Sequence, residues 1–85
     1  MPSIPVLIPI LIKVDNYLLK NAVGLTTCKE LIFVPEMTTI DDLLKIIGLS
    51  KNLVSFITVN GVRQDLEYKL KYKDEVAFYP YISGG

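Results

Sequence analysis

The chain has 85 residues, 51% of them hydrophobic, with 9 basic and 9 acidic side chains and a formal net charge of +0. That length fits one domain near the lower end of what folds without staples, and the apolar content excludes a disordered chain. One cysteine, Cys28, and no histidine exclude an intrachain disulfide framework and a Cys–His or Ser–His catalytic pair, and leave carboxylates alone for any metal site, with no calcium-loop spacing among them.

The first apolar run, Ile4 to Ile12, is rich in β-branched residues and reads as a strand. It is too short to span a bilayer as a helix, which takes about 20 residues, and it lacks the basic start of a signal peptide, so the expected location is cytoplasmic and no membrane partner is expected. Pro9 cannot donate to a ladder, so regular pairing is expected to begin after it, at 10–14, or to carry a bulge there. In 15–29, Leu18, Leu19, Ala22 and Val23 have helical spacing and Gly24 is placed to close a short helix, although the segment is otherwise hard to place. "ELIFV" (30–34) reads as a strand ended by Pro35. Thr39 is placed as an N-cap with Asp42 completing a capping box. Ile40, Leu43, Leu44 and Ile47 form one helical stripe, Gly48 is a left-handed stop, and Leu49 supplies its apolar contact.

"LVSFITV" (53–59) is a strand by composition, and "NG" (60–61) signals a two-residue hairpin leading to a brief return strand over 62–64. The run 63–75 carries four basic and four acidic side chains, interleaved as on a solvated surface. Nothing in this pattern favours a nucleic-acid partner, which selects a clustered basic face. "EVAFYPYI" (75–82) is the last strand, with Val76, Phe78 and Pro80 on one face and Ala77, Tyr79 and Tyr81 on the other, and Pro80 marks where regular pairing should end. One amphipathic helix among four or five strands must bury its stripe against a mixed sheet, which gives an α+β class with the main helix on one face.

The segment "DEVAFYPYISGG" (74–85) resembles the C-terminus of the ubiquitin-like sulfur carriers, closest to the small subunit of molybdopterin synthase within the molybdopterin/thiamin sulfur carrier superfamily. Asp74 to Phe78 match that family's last strand, Tyr79 its second aromatic, and Pro80 its first proline. Ile82 and Ser83 match the aliphatic and hydroxyl positions, and Gly84 and Gly85 the terminal pair. The upstream layout is similar, including "VNG" at 59–61. Tyr81 stands where the motif has its second proline. The resemblance implies a β-grasp (ubiquitin-like) domain over 1–85 with 81–85 as a flexible C-terminal tail.

It also implies a chemistry. An ATP-dependent adenylating enzyme would activate Gly85, and the resulting thiocarboxylate would donate sulfur in molybdopterin (or tungstopterin) synthesis, to a synthase large subunit or an equivalent acceptor. The chain would be a co-substrate or non-catalytic subunit with no catalytic residues and no bound cofactor of its own, ATP being used by the activating partner. Gly84, Ser83 and Ile82 would thread the partner's channel, and Phe78, Tyr79, Pro80 and Tyr81 would form the docking surface. Phe78 shares a face with Val76, which favours a core role for it over a partner contact. Tyr79 and Tyr81 can be partner contacts or ordinary sheet surface, and Arg63 a rim contact or a solvated turn residue. Other readings are a thiamin-pathway carrier, a protein modifier joined through Gly85, and a binding domain with no terminal chemistry.

Overall fold

The computed structural model describes residues 4–81. The elements run β1 (Leu7–Lys13), α1 (Asn16–Lys20), β2 (Lys29–Pro35), α2 (Ile40–Ile47), a 3-10 turn (Lys51–Leu53), β3 (Val54–Val59), β4 (Val62–Gln64) and β5 (Glu75–Pro80). The five strands form one mixed sheet in the order β2-β1-β5-β3-β4, in which β1 and β5 are parallel and the other pairs antiparallel. The α2 stripe joins Ile8, Ile10, Ile12, Val76 and Phe78 in one core, leaving the opposite sheet face open. This is the expected β-grasp. No helix of the described residues is long and apolar enough to cross a membrane.

The start of α2 is satisfied from two sides. Thr39 accepts the Asp42 N–H at 3.1 Å and Asp42 accepts the Thr39 N–H at 3.2 Å, the reciprocal capping box. The Thr39 bonds also hold the Asp42 carboxyl below its usual range, the Thr39 N–H contributing most. The next two free donors, Ile40 and Asp41 N–H, reach the carbonyls of Tyr68 and Leu66, both at 3.0 Å, so the 65–70 loop completes the cap. Gly48 ends the helix at φ 67, and the Leu49 N–H bonds back to the Leu44 carbonyl at 3.0 Å. Thr39→Ala should therefore cost about 1 kcal/mol, read as a lower denaturation midpoint at unchanged slope.

Two expectations give way to the structure. Pro9 lies inside β1, and the β1–β2 register is continuous from Leu7↔Pro35 to Lys13↔Lys29 with no bulge. The N–H and C=O of one strand residue point the same way. Leu11 N–H bonds the Asp74 carbonyl at 3.0 Å, and Pro9 C=O accepts from Lys73 N–H at 2.9 Å. The odd residues of β1 thus face β5, whose pairing begins only at Leu11. The missing donor of Pro9 points to a place where the ladder has not begun.

The first helix stops at Lys20, with Asp15 as N-cap and Asn21 as C-cap. Leu18 and Ala22 are core, but Val23 is 93% exposed. Gly24 closes no helix. Its N–H bonds the Ile47 carbonyl at 2.8 Å, and an added Cβ would lie 2.9 Å from Ile46 O and Ile47 Cα, so glycine there permits the backbone to dock on the end of α2. The last strand, β5, ends at Pro80, where regular pairing was expected to stop.

Candidate functional site

β5 lies between β1 and β3, in the middle of the sheet. Both of its ends are held by side chains.

At its start, Asp74 is buried, 4% exposed. One carboxylate oxygen accepts the Asn60 side-chain N–H at 2.9 Å, and the other accepts Lys71 N–H at 2.8 Å and the Tyr68 hydroxyl at 3.3 Å. Burial first, then the Asp74 charge, pushes the Tyr68 hydroxyl above its usual range. Asn60, at φ 53 in the hairpin turn, also brackets Glu75: its N–H donates to the Glu75 carbonyl at 2.8 Å and its side-chain oxygen accepts Glu75 N–H at 3.0 Å. The turn and the first residues of the last strand are therefore one unit. Glu75 pairs with Lys13 across the parallel strands, and that hydrogen bond and charge hold its carboxyl below the usual range.

At the far end, Tyr79 stacks on Phe56 of β3, with centroids 4.4 Å apart and planes 8° from parallel. The Arg63 guanidinium lies 5.0 Å from the Phe56 centroid. These three side chains make a layer across β5, β3 and β4 on the open face of the sheet, in the geometry of aromatic stacking and cation–π contact. Phe56 lies opposite Tyr79 in the regular register that runs from Val59↔Val76, and the ladder shifts only beyond it, at Val54↔Pro80. Tyr79 is 40% exposed, and Tyr81 beyond the strand is exposed. An open groove of ≈ 640 Å³ lies alongside, running from Phe56 and Arg63 past Val54 to Leu44 and Leu66, with Lys51 at its rim.

The expected docking residues thus separate. Phe78, placed among them from the sequence, is 2% exposed and packs in the core, because its face is the one that meets α2. It offers a partner no surface. Pro80 is half-buried and ends the strand opposite Val54. Tyr79 and Tyr81 lie at the surface. Arg63 is exposed, with its guanidinium over the Phe56 ring in cation–π range. Ile82, Ser83, Gly84 and Gly85 fall outside the described residues. Phe56 and the Asp74–Asn60 pair were missed from sequence. Phe56 has opposite parity to the core residues Ile57 and Val59, a signal that it faces outward, but its meeting with Tyr79 depends on register.

The chain matches no family model and no curated protein. It is similar in structure to small archaeal modifier protein 1 of Haloferax volcanii, with a TM-score of 0.69 at 17% identity over 88% of this chain and 99% of that one. It is similar to the HVO 2177 protein of the same organism, with a TM-score of 0.69 at 18% identity over 93% of this chain and 88% of that one. A candidate molybdopterin converting factor, subunit 1, from Pyrococcus furiosus gives a TM-score of 0.66 at 22% identity over 88% of this chain and 99% of that one. At these identities the likeness is one of fold, and the fold is the ubiquitin-like one that the C-terminal segment implied.

Proposed function

We propose that the chain is a ubiquitin-like sulfur carrier whose Gly85 carboxylate is activated by an ATP-dependent adenylating enzyme, converted to a thiocarboxylate, and used as a sulfur donor in molybdopterin (or tungstopterin) synthesis. The observation that carries the reading is the joining of a matched last strand, anchored at the centre of the sheet, to the sequence Ile82-Ser83-Gly84-Gly85. The reading requires the Gly85 carboxylate to be a free chain terminus.

A terminal carboxylate has a reference pKa of about 3.3–3.7, so near neutrality it is an anion and a poor electrophile. Attack of its oxygen on the α-phosphorus of ATP expels pyrophosphate and leaves an acyl-adenylate. The terminal sulfur of a partner's persulfide then attacks the acyl carbon and expels AMP. The product is an acyl disulfide, and a thiol reduces its S–S bond to free the thiocarboxylate. Transfer of that sulfur to an acceptor, with water completing the acyl exchange, restores the carboxylate. Beyond the Gly85 carboxylate itself, none of these steps draws a proton, a nucleophile or a metal ligand from this chain. Its tasks are to dock and to present the terminus. Gly84 and Gly85, lacking Cβ atoms, suit a narrow channel and allow close backbone approach.

The stacked Arg63–Phe56–Tyr79 layer is the docking element in this account. Aromatic and arginine anchors dominate binding energy at interfaces, and these three are already ordered by one another. Tyr79→Ala should raise the KM for the carrier in ATP–pyrophosphate exchange by roughly tenfold, about 1.4 kcal/mol, with kcat little changed. Tyr72→Ala, at an exposed tyrosine outside the strands, should leave both constants alone. Equal effects of the two substitutions would remove the layer from the interface. A carrier that supports no exchange with its cognate activating enzyme would remove the activation step itself.

A second reading has a specific support. Two of the similar structures are of small archaeal modifier protein 1 (SAMP1) of Haloferax volcanii. A modifier would use the same acyl-adenylate but pass the acyl group to a lysine amine. Gly-Gly remnants on lysines of other proteins would mark that fate, and a free chain with one oxygen exchanged for sulfur marks the carrier. A thiamin-pathway acceptor would change only the last transfer.

A further inference from the structure

The last strand stops where its neighbours leave it no full rung to make. Odd residues of β5 turn their backbone groups toward β3 and even ones toward β1, as the bonds from Asn60 N–H to the Glu75 carbonyl, 2.8 Å, and from Leu11 N–H to the Asp74 carbonyl, 3.0 Å, require. Toward β1, pairing runs only as far as Lys13↔Ala77, and Pro80 has no N–H to offer beyond it. Toward β3, the bulge carries the ladder from Phe56↔Tyr79 to Val54↔Pro80. The next bonded rung would therefore join Leu53 to Tyr81, and the one after it Lys51 to Ser83.

Those rungs need groups that the 3-10 turn at Lys51–Leu53 has already engaged. A full rung at Tyr81 takes Leu53 N–H as donor, but that N–H bonds the Ser50 carbonyl at 3.1 Å. A rung at Ser83 takes the Lys51 carbonyl as acceptor, but that carbonyl accepts Val54 N–H. Ser50 holds the turn from a second side, its hydroxyl accepting Asn52 N–H at 3.2 Å. The turn thus closes on itself the groups that β5 would need to run on. Its sequence suits this, since Lys51 and Asn52 are poor strand formers set directly before a strand.

We propose that this turn is a ladder stop that holds the residues after Tyr81 out of the sheet, and that Ser50 is a positioning residue for the chemistry at Gly85. The inference rests on the reading of Gly85 as the reacting group. Reach is what the stop protects. Four residues beyond Tyr81 extend at most about 13–14 Å, whereas two beyond Ser83 extend about 7 Å. A β5 that ran on to Ser83 would leave the carboxylate about half as far from the sheet, short of a partner's channel while the open face stays docked. Docking and presentation are then separate tasks, the first on β3, β4 and β5 and the second set by the turn.

Amide hydrogen exchange of the full chain tests this, together with ATP–pyrophosphate exchange by its cognate activating enzyme. In the unaltered chain the Ser83 amide should exchange within about tenfold of the rate of an unstructured peptide. Ser50→Val with Asn52→Val, which leaves Lys51 in place, should straighten the turn into strand. Protection at Ser83 should then rise at least roughly tenfold, and kcat should fall at least about tenfold with KM for the carrier little changed. Two residues inserted between Tyr81 and Ile82 of that variant should restore kcat to within about threefold, which a merely structural role would not allow. A strongly protected Ser83 amide in the unaltered chain overturns the proposal, and this arm needs no variant to fold. So does a folded double variant whose Ser83 amide stays fast, one that is protected yet keeps the unaltered kcat, or one that the insertion does not rescue. An unaltered chain that supports no exchange with that enzyme removes the Gly85 reading instead, and the amides still decide whether the turn stops the ladder.

Discussion

A single residue added after Gly85 reduces thiocarboxylate formation to below about a hundredth of the unaltered rate, while the fold is untouched. The extension moves the reacting carboxylate by up to ~3.3–3.6 Å along the chain. Activation needs that carboxylate held in line with the α-phosphorus, and misplacement by even 1 Å can cost roughly a hundredfold. Gly85→Ala keeps the carboxylate in place and adds one methyl group, so it slows activation less, by about tenfold, through the loss of close backbone approach. The pair separates position from bulk. Quenched time courses read by intact mass measure both, with circular dichroism as the control. Equal rates for the extended and unaltered chains would mean that the terminus is not the reacting group. An unimpaired alanine variant would remove the steric argument alone.

Asp74→Ala costs roughly 3–5 kcal/mol of folding stability. Its carboxylate is the acceptor for Asn60, Lys71 and Tyr68 at one buried point. Alanine leaves those part-buried donors without their charged acceptor, and each such hydrogen bond to a charged group contributes about 1.5–3 kcal/mol. The Tyr68 hydroxyl, at 3.3 Å the longest of the three, contributes least. Against a total of about 5–15 kcal/mol for a small domain, this is a large fraction. Asp74→Asn keeps one acceptor oxygen and should lose less than half as much. Urea denaturation checks both. A loss below about 0.5 kcal/mol for Asp74→Ala would show that the three bonds are dispensable.

Asp74 also shows what could be read from sequence and what could not. "DEVAF" was matched as a strand and "VNG" as a turn, each from local pattern. That Asp74 and Asn60 bond each other follows from β3 lying beside β5, which no local pattern states. The capped helix was fully legible because its signals, Thr39, Asp42, the apolar stripe and Gly48, act within a few residues of one another. Pro9 was misjudged for a geometric reason. A proline is excluded only from the side of a strand that is paired, and the sequence does not show which side that is.

Val23 and Gly24 were misjudged because helical spacing was extended past Asn21. Gly24 is needed for its approach to Ile47, distant in sequence. Phe78 was assigned to two roles, and the face alternation that put it with Val76 was the better guide. The Arg63–Phe56–Tyr79 layer joins three strands, so only its members' outward parity was legible.

The central claim is that chemistry occurs at the Gly85 carboxylate while the β-grasp body docks and presents it. The most direct test is the intact mass of the chain after incubation with ATP, a cognate activating enzyme and a persulfide donor with a thiol reductant. The account predicts a chain with one oxygen replaced by sulfur, located by fragmentation at Gly85 and formed only when ATP is present. A chain of unchanged mass with a competent, matched enzyme would contradict it.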